Sequence, residues 1–95
     1  MAMMYVVAYD IAADSRRSRL ATLLQAWGYR VQESVFQVRV DAEDLSTLRS
    51  KMLAIIDEHE DAVHIYRLCA KCEDHAKVYG IGMSLDDIGL YRGVW

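Results

Sequence analysis

The 95-residue sequence has no proline, two cysteines, three histidines and one phenylalanine, and no long apolar run. No linker, internal repeat or low-complexity stretch marks a boundary, so a single domain over residues 1–95 is expected. No apolar stretch approaches the roughly 18 residues that a membrane-crossing helix needs. The opening Met-Ala-Met-Met-Tyr lacks both a basic segment and a cleavage site, which argues against a secretory leader. A cytoplasmic protein with no membrane partner is expected. His59, His64 and His75 do not cluster in sequence, so no acid–base role is assigned to them. The cysteines are spaced as Cys69-Ala70-Lys71-Cys72. With His75 they offer three ligands where structural zinc takes four. A redox role calls for the pair at a helix start beside a β-α-β unit, which the sequence does not suggest. The plain reading is two thiols ending a strand in a reducing compartment.

A net charge of −3 argues against bulk attraction to nucleic acid. The charge is uneven, however. Residues 1–40 carry five arginines against Asp10, Asp14 and Glu33, a balance of +2, while residues 41–95 carry six basic and eleven acidic side chains, −5. Any nucleic-acid face is therefore expected in the first half. Hydrophobic residues make up 54% of the chain, enough for a core with apolar surface left over, and that surplus favours an oligomer.

The pattern predicts alternating strands and helices. Met3 to Ile11 reads as a buried central strand. A helix follows to about Trp27, capped by Asp14 or Ser15, with Leu20, Leu23, Leu24 and Trp27 on one face and Gly28 as its stop. Arg30 to Val40 is strand-like, with a slip of phase near Glu33-Ser34 that marks a bulge or a very tight turn. A second helix is expected over roughly 43–58, with Asp41 as cap and Leu45, Leu48, Met52, Ile55 and Ile56 inward. Ala62 to Cys69 reads as a third strand, Val78 to Met83 as a glycine-weakened fourth, and Ile88 to Trp95 as an edge strand. The tail 84–95 is expected to dock on the sheet or on a partner. The order suggests an α/β sandwich with both helices on one face of an antiparallel sheet, the other face covered by a two-fold mate. The acidic runs Asp57-Glu58-His59-Glu60-Asp61 and Asp86-Asp87 read as solvated loops.

Asp10 ends the first hydrophobic run. A carboxylate there can hold a hard metal ion, and the arginines behind it, Arg16, Arg17, Arg19 and Arg30, can grip phosphate oxygens. The plainer alternative for Asp10 is a turn or helix cap. Arg16, Arg17 and Arg19 oppose the dipole of the helix they open. A bound phosphate would relieve that conflict, and a solvated face paired with Asp14 is the alternative. Tyr9 alternates away from Asp10 and reads mainly as core. Ser34 reads as a turn residue or a phosphate hydrogen-bond donor, and Phe36 as core.

Tyr9-Asp10-Ile11, Arg16-Arg17-Ser18-Arg19-Leu20 and the run Gly28 to Phe36, with its Gln32-x-Ser34-Val35-Phe36 element, resemble the Cas-two family of small CRISPR-associated proteins. Val63 to Cys69 and the glycine-bearing segment after it agree. The resemblance implies a ferredoxin-like β-α-β-β-α-β fold and a homodimer in which Asp10 of each subunit faces its mate and Mg2+ binds between them. It implies a metal-dependent endonuclease acting on RNA or DNA, with Asp10 catalytic and metal-binding, Arg17, Arg19 and Arg30 the stronger phosphate contacts, and Tyr9, Ser34 and Phe36 in support. It also implies a scaffold role with the Cas-one integrase in spacer insertion. A non-catalytic DNA-binding adaptor and a toxin-type ribonuclease of related fold are the competing functions.

Overall fold

A computed structural model describes residues 1–77 and 79. Four strands and two long helices follow one another as β1 (Met3–Asp10), α1 (Asp14–Trp27), β2 (Gly28–Gln32), β3 (Val35–Val40), α2 (Ala42–Ile55) and β4 (Ala62–Leu68), and a short α3 (Ala70–Asp74) comes last. The strands form one antiparallel sheet in the order β2-β3-β1-β4, the split β-α-β arrangement that the family resemblance implies. The strand expected over 78–83, Tyr79 apart, and the whole tail 84–95 lie outside the described residues.

β1 is central because both its edges are used. Met3 to Ala8 pair with Val40 to Val35, and Met4 to Asp10 pair with Leu68 to Ala62. Its β-branched and aromatic side chains suit a pleated surface buried on one side. Tyr5, Val7 and Tyr9 join Phe36, Val38 and Val40 in one core with Leu20 and Leu24 of α1 and Leu48 and Met52 of α2. All these strand residues share one face, so both helices cover the same side of the sheet, as expected. α1 and α2 leave the opposite face, which carries Met4, Val6, Ala8 and Asp10 of β1 beside Val35 and Gln37 of β3 and His64, Tyr66 and Leu68 of β4.

The boundaries depart from the expected ones in instructive ways. α1 has Ala13 at its cap position and no side-chain cap. Asp14 instead lies in the first turn, where its charge suits the dipole, and its carboxylate is taken by Arg17 one turn on. Asp41 does cap α2, accepting the Asp44 amide at 2.7 Å. α2 ends at Ile55 rather than near residue 58, because the loop behind it is gathered in: the Glu60 and Asp61 amides both donate to the Asp57 carbonyl. The slip near Glu33-Ser34 is both of its alternatives at once. A two-residue connection joins β2 to β3, and the register shifts between Arg30 and Gln32, leaving Val31 as the extra residue of a bulge.

Gly28 follows α1 as expected, but not as a left-handed stop. Its backbone is extended (φ −165°, ψ −150°), and helix passes straight into strand. It is glycine because β3 crosses close by. A Cβ there would lie 1.9 Å from the Gln37 carbonyl oxygen and 2.7 Å from Val38 Cγ1.

Asp61 is the largest departure. Its place in an acidic run suggested a solvated loop, yet its side chain is 0% exposed. One oxygen accepts the Ala12 amide at 2.9 Å and Arg16 at 3.1 Å, and the other accepts Arg16 Nε at 2.7 Å and the Asp57 amide at 2.8 Å. The Arg16 hydrogen bonds hold this carboxyl well below the usual carboxylate range, helped by the two amides and opposed by burial. The latch fastens the loop before β4 to the chain that leaves β1. Asp61→Asn is expected to lower the melting temperature by about 5 °C or more. A depressed folded-state value makes the contribution complete above the ordinary carboxylate value, about pH 4, and lost as pH falls below it. Wild type and variant should thus converge in acid. An undiminished gap at about pH 2 in thermal melts would contradict this account.

Candidate functional site

Asp10 is the last residue of the central strand and is exposed. Among the described residues it forms no ion pair, so its carboxylate is open to a cation from outside the protomer. Its backbone is held on one side, and that of the residue before it on the other. It pairs with Ala62 on β4, and on the other side the Tyr9 amide donates to the Ser34 carbonyl at 3.0 Å. Two residues further on, the Ala12 amide is fixed by Asp61. The backbone that carries this carboxylate is thereby fixed, as a metal ligand or a phosphate-facing group would require.

Tyr9 turns to the other face and is buried, as alternation predicts. Its hydroxyl donates to the Glu33 carbonyl at 3.0 Å, and its ring stacks on Phe36 with centroids 6.3 Å apart. Phe36 is core, fully buried, with the Arg30 guanidinium 5.2 Å from its ring centre. Tyr9, Phe36 and the Ser34 carbonyl therefore support the strand end that carries Asp10 instead of reaching outward.

The arginines separate into different roles. Arg16 is committed to Asp61, with Glu60 at 3.9 Å. Arg17 donates to the Ile11 carbonyl at 2.9 Å as well as pairing with Asp14, yet stays about half exposed. Arg17 and Arg30, from α1 and β2, line one groove of about 450 Å3 with Tyr9, Ser18, Gln25 and Glu33. Arg19 is exposed on α1 but lines a separate hollow with Ser18, Thr22, Leu23 and Ile55 and, like Arg30, makes no ion pair among the described residues. Sequence reasoning grouped all four arginines behind Asp10; the structure gathers Arg17 and Arg30, sets Arg19 in a separate hollow, leaves Asp10 outside the groove on the other face of the sheet and withdraws Arg16. It missed Asp61, for which the one available signal was its position immediately before β4.

Residues 3–76 match the family model described as CRISPR associated protein Cas2. The chain belongs to the Cas2 family. It is 42% identical over 81 residues to the CRISPR-associated endoribonuclease Cas2 1 of Chloroflexus aurantiacus, covering 84% of this chain and 87% of the relative. It is 42% identical over 79 residues to the CRISPR-associated endonuclease Cas2 2 of Thermus thermophilus, covering 83% of each. The crystal structure of Streptococcus pyogenes Cas2 superposes with a TM-score of 0.74 at 29% identity, over 82% of this chain and all of that one. A chain of a partial Cas6-RT-Cas1–Cas2 complex gives 0.71 at 30% identity, over 90% and 91%. The Cas2 match spans every candidate residue above, from Tyr9 to Phe36, and both cysteines.

One sequence reading around the Cas2 core changes in the structure. The cysteine pair does not simply end a strand: Cys69 caps α3, which opens directly after β4. Among the described residues no three His, Cys, Asp or Glu side chains gather as metal ligands. Nor, among them, is any helix long and apolar enough to cross a membrane.

Proposed function

We propose that this Cas2-family chain is a magnesium-dependent endonuclease for RNA or DNA that works as a two-fold dimer, with Asp10 of each protomer facing its mate. The observation that carries the reading is Asp10 itself: an exposed carboxylate, free of protein cations among the described residues, on the rigid end of the central strand. The residues fit magnesium in kind, since that ion is ordinarily held by one or two carboxylates and several waters and not by a full protein cage. Two Asp10 side chains would supply those carboxylates. Magnesium, when bound, supplies charge neutralisation at a phosphoryl oxygen and an activated water. Asp10 orients, the groove arginines hold phosphate oxygens through forked hydrogen bonds, and Tyr9 and Phe36 keep the strand end in place. The sheet face left by α1 and α2, with Val6, Ala8, Val35 and Tyr66 on it, would serve as the surface of the two-fold contact. The names of the Chloroflexus and Thermus relatives support nuclease activity.

The test is cleavage of end-labelled RNA and duplex DNA by the purified protein, with and without magnesium. Magnesium-dependent products from either substrate are expected. Failure on both, by a folded dimer that still binds DNA, overturns the nuclease in favour of the second reading. That reading is a non-catalytic DNA scaffold for the Cas1 integrase, which the likeness to a chain of a Cas1–Cas2 complex favours. Both readings use the exposed arginines. Replacing Arg19 and Arg30 together with alanine should flatten the plot of log affinity against log salt by about 2 for duplex DNA and weaken binding at least tenfold at low salt. An unchanged slope removes these arginines from the phosphate contacts.

A further inference from the structure

The cysteine pair takes no part in the nuclease or scaffold reading, and its geometry is specific. Cys69 and Cys72 are both exposed. Their Sγ atoms lie 3.3 Å apart in a thiol–thiol hydrogen bond, and the Cys72 amide donates to Cys69 Sγ at 3.4 Å. The turn between them is already formed, because the Glu73 amide bonds to the Cys69 carbonyl at 3.1 Å. The turn is also anchored, since Glu73 pairs with Arg39 of β3. A disulfide has its sulfurs about 2.05 Å apart, so closure asks for little more than 1 Å of movement within a preformed turn.

We propose that Cys69 and Cys72 are a thiol–disulfide exchange site that closes reversibly into an intramolecular disulfide with low-molecular-weight disulfides of the glutathione class. The Cys69 thiolate attacks one sulfur of the small disulfide, whose S–S bond breaks and releases one thiolate, and this takes a proton from water. Cys72 then gives its proton to solvent and attacks Cys69 Sγ, expelling the second small thiolate. The protein dithiol loses two electrons, and one small disulfide becomes two small thiols. The environment favours this order of attack. Hydrogen bonds from the Cys72 amide and then the Cys72 thiol pull the Cys69 thiol down from its ordinary value, and the same thiol contact with Cys69 pushes Cys72 up. Cys69 is therefore the attacking sulfur and Cys72 the resolving one. The helix start that the redox role called for is present, on an antiparallel sheet instead of a β-α-β unit.

The full-length protein is equilibrated in reduced and oxidised glutathione at several ratios, quenched with a maleimide and weighed intact. The expected result is a species about 2 Da lighter that takes up no maleimide, rises with oxidised glutathione, stays monomeric on a non-reducing denaturing gel and reverts with a small dithiol. The single variants C72S and C69S should instead stop at the glutathione adduct. The thiol left in C72S should be alkylated several-fold faster at neutral pH than the one left in C69S. Cys69 and Cys72 are both exposed and serine is nearly isosteric with cysteine, so melting temperatures should stay at the wild-type value. Wild type that keeps two maleimide-reactive thiols in excess oxidised glutathione, or that oxidises only between chains or only to glutathione adducts, overturns the proposal. The readout is independent of nuclease or DNA-binding activity.

Discussion

Asp10→Asn is expected to lower magnesium-dependent cleavage at least about 100-fold while leaving the fold and the two-fold association in place. The loss follows from charge. Asparagine keeps the shape and one oxygen but removes the negative charge that a hard cation requires, and a metal-ion contribution of several kcal/mol to phosphoryl chemistry corresponds to rate factors of this size. Structural neutrality follows from position. Asp10 is exposed, and its pairing with Ala62 is a backbone matter that asparagine reproduces. If two such carboxylates face each other across a two-fold axis, the substitution also removes their mutual repulsion, so the melting temperature in the absence of magnesium should not fall. Cleavage rates and thermal melts on the same preparations check both halves. Cleavage retained in the variant would remove Asp10 from the chemistry.

Gly28→Ala is expected to destabilise the protein by about 3 kcal/mol or more, measured by urea unfolding, and to lower the melting temperature by more than about 10 °C. The cause is collision, not conformation: alanine accepts an extended backbone without strain. Its methyl, however, would stand 1.9 Å from a carbonyl oxygen belonging to the pairing of β2 with β3, and a ladder carbonyl cannot swing aside. Relief would require parting β2 from β3 at the point where α1 enters the sheet. Trimming Val38 to alanine removes the neighbour at 2.7 Å but not the carbonyl, so the double variant should recover little. A cost below about 1 kcal/mol would mean that the junction of α1 and β2 yields more readily than its close contact implies.

These two residues show how differently the sequence speaks about site and scaffold. Asp10 was legible because it breaks a hydrophobic run at a strand end and is followed by arginines, a local pattern. The two helices and their inward faces were legible for the same reason, each being a repeat of apolar residues at helical spacing. Gly28 was visible as a glycine after a helix, but the reason for it lies in β3, ten residues further on and visible only once β2 and β3 pair. Asp61 was harder still. Four carboxylates lie within five residues there, and only its place immediately before β4 distinguishes the one that meets Arg16 and Ala12 across the molecule. Arg16 likewise looked the equal of Arg17 and Arg19 until its partner was placed. The cap by Cys69 escaped because thiols seldom signal a helix start, and a five-residue helix carries no apolar period.

The Asp61 latch bears on time as well as on stability. The turn between β2 and β3 closes over two residues, whereas β1 and β4 meet only when Asp10 finds Ala62 and Met4 finds Leu68. Closing so long a loop costs more chain entropy than closing a hairpin, so this pairing belongs to the late part of folding. Asp61 joins residues 45 and 49 positions away in sequence at that closure. An interaction made after the transition state leaves the folding rate alone and slows escape from the native state. The buried carboxylate is thus expected to lengthen the native lifetime of the sheet that carries Asp10, and its loss should be read in the unfolding limb of a chevron plot.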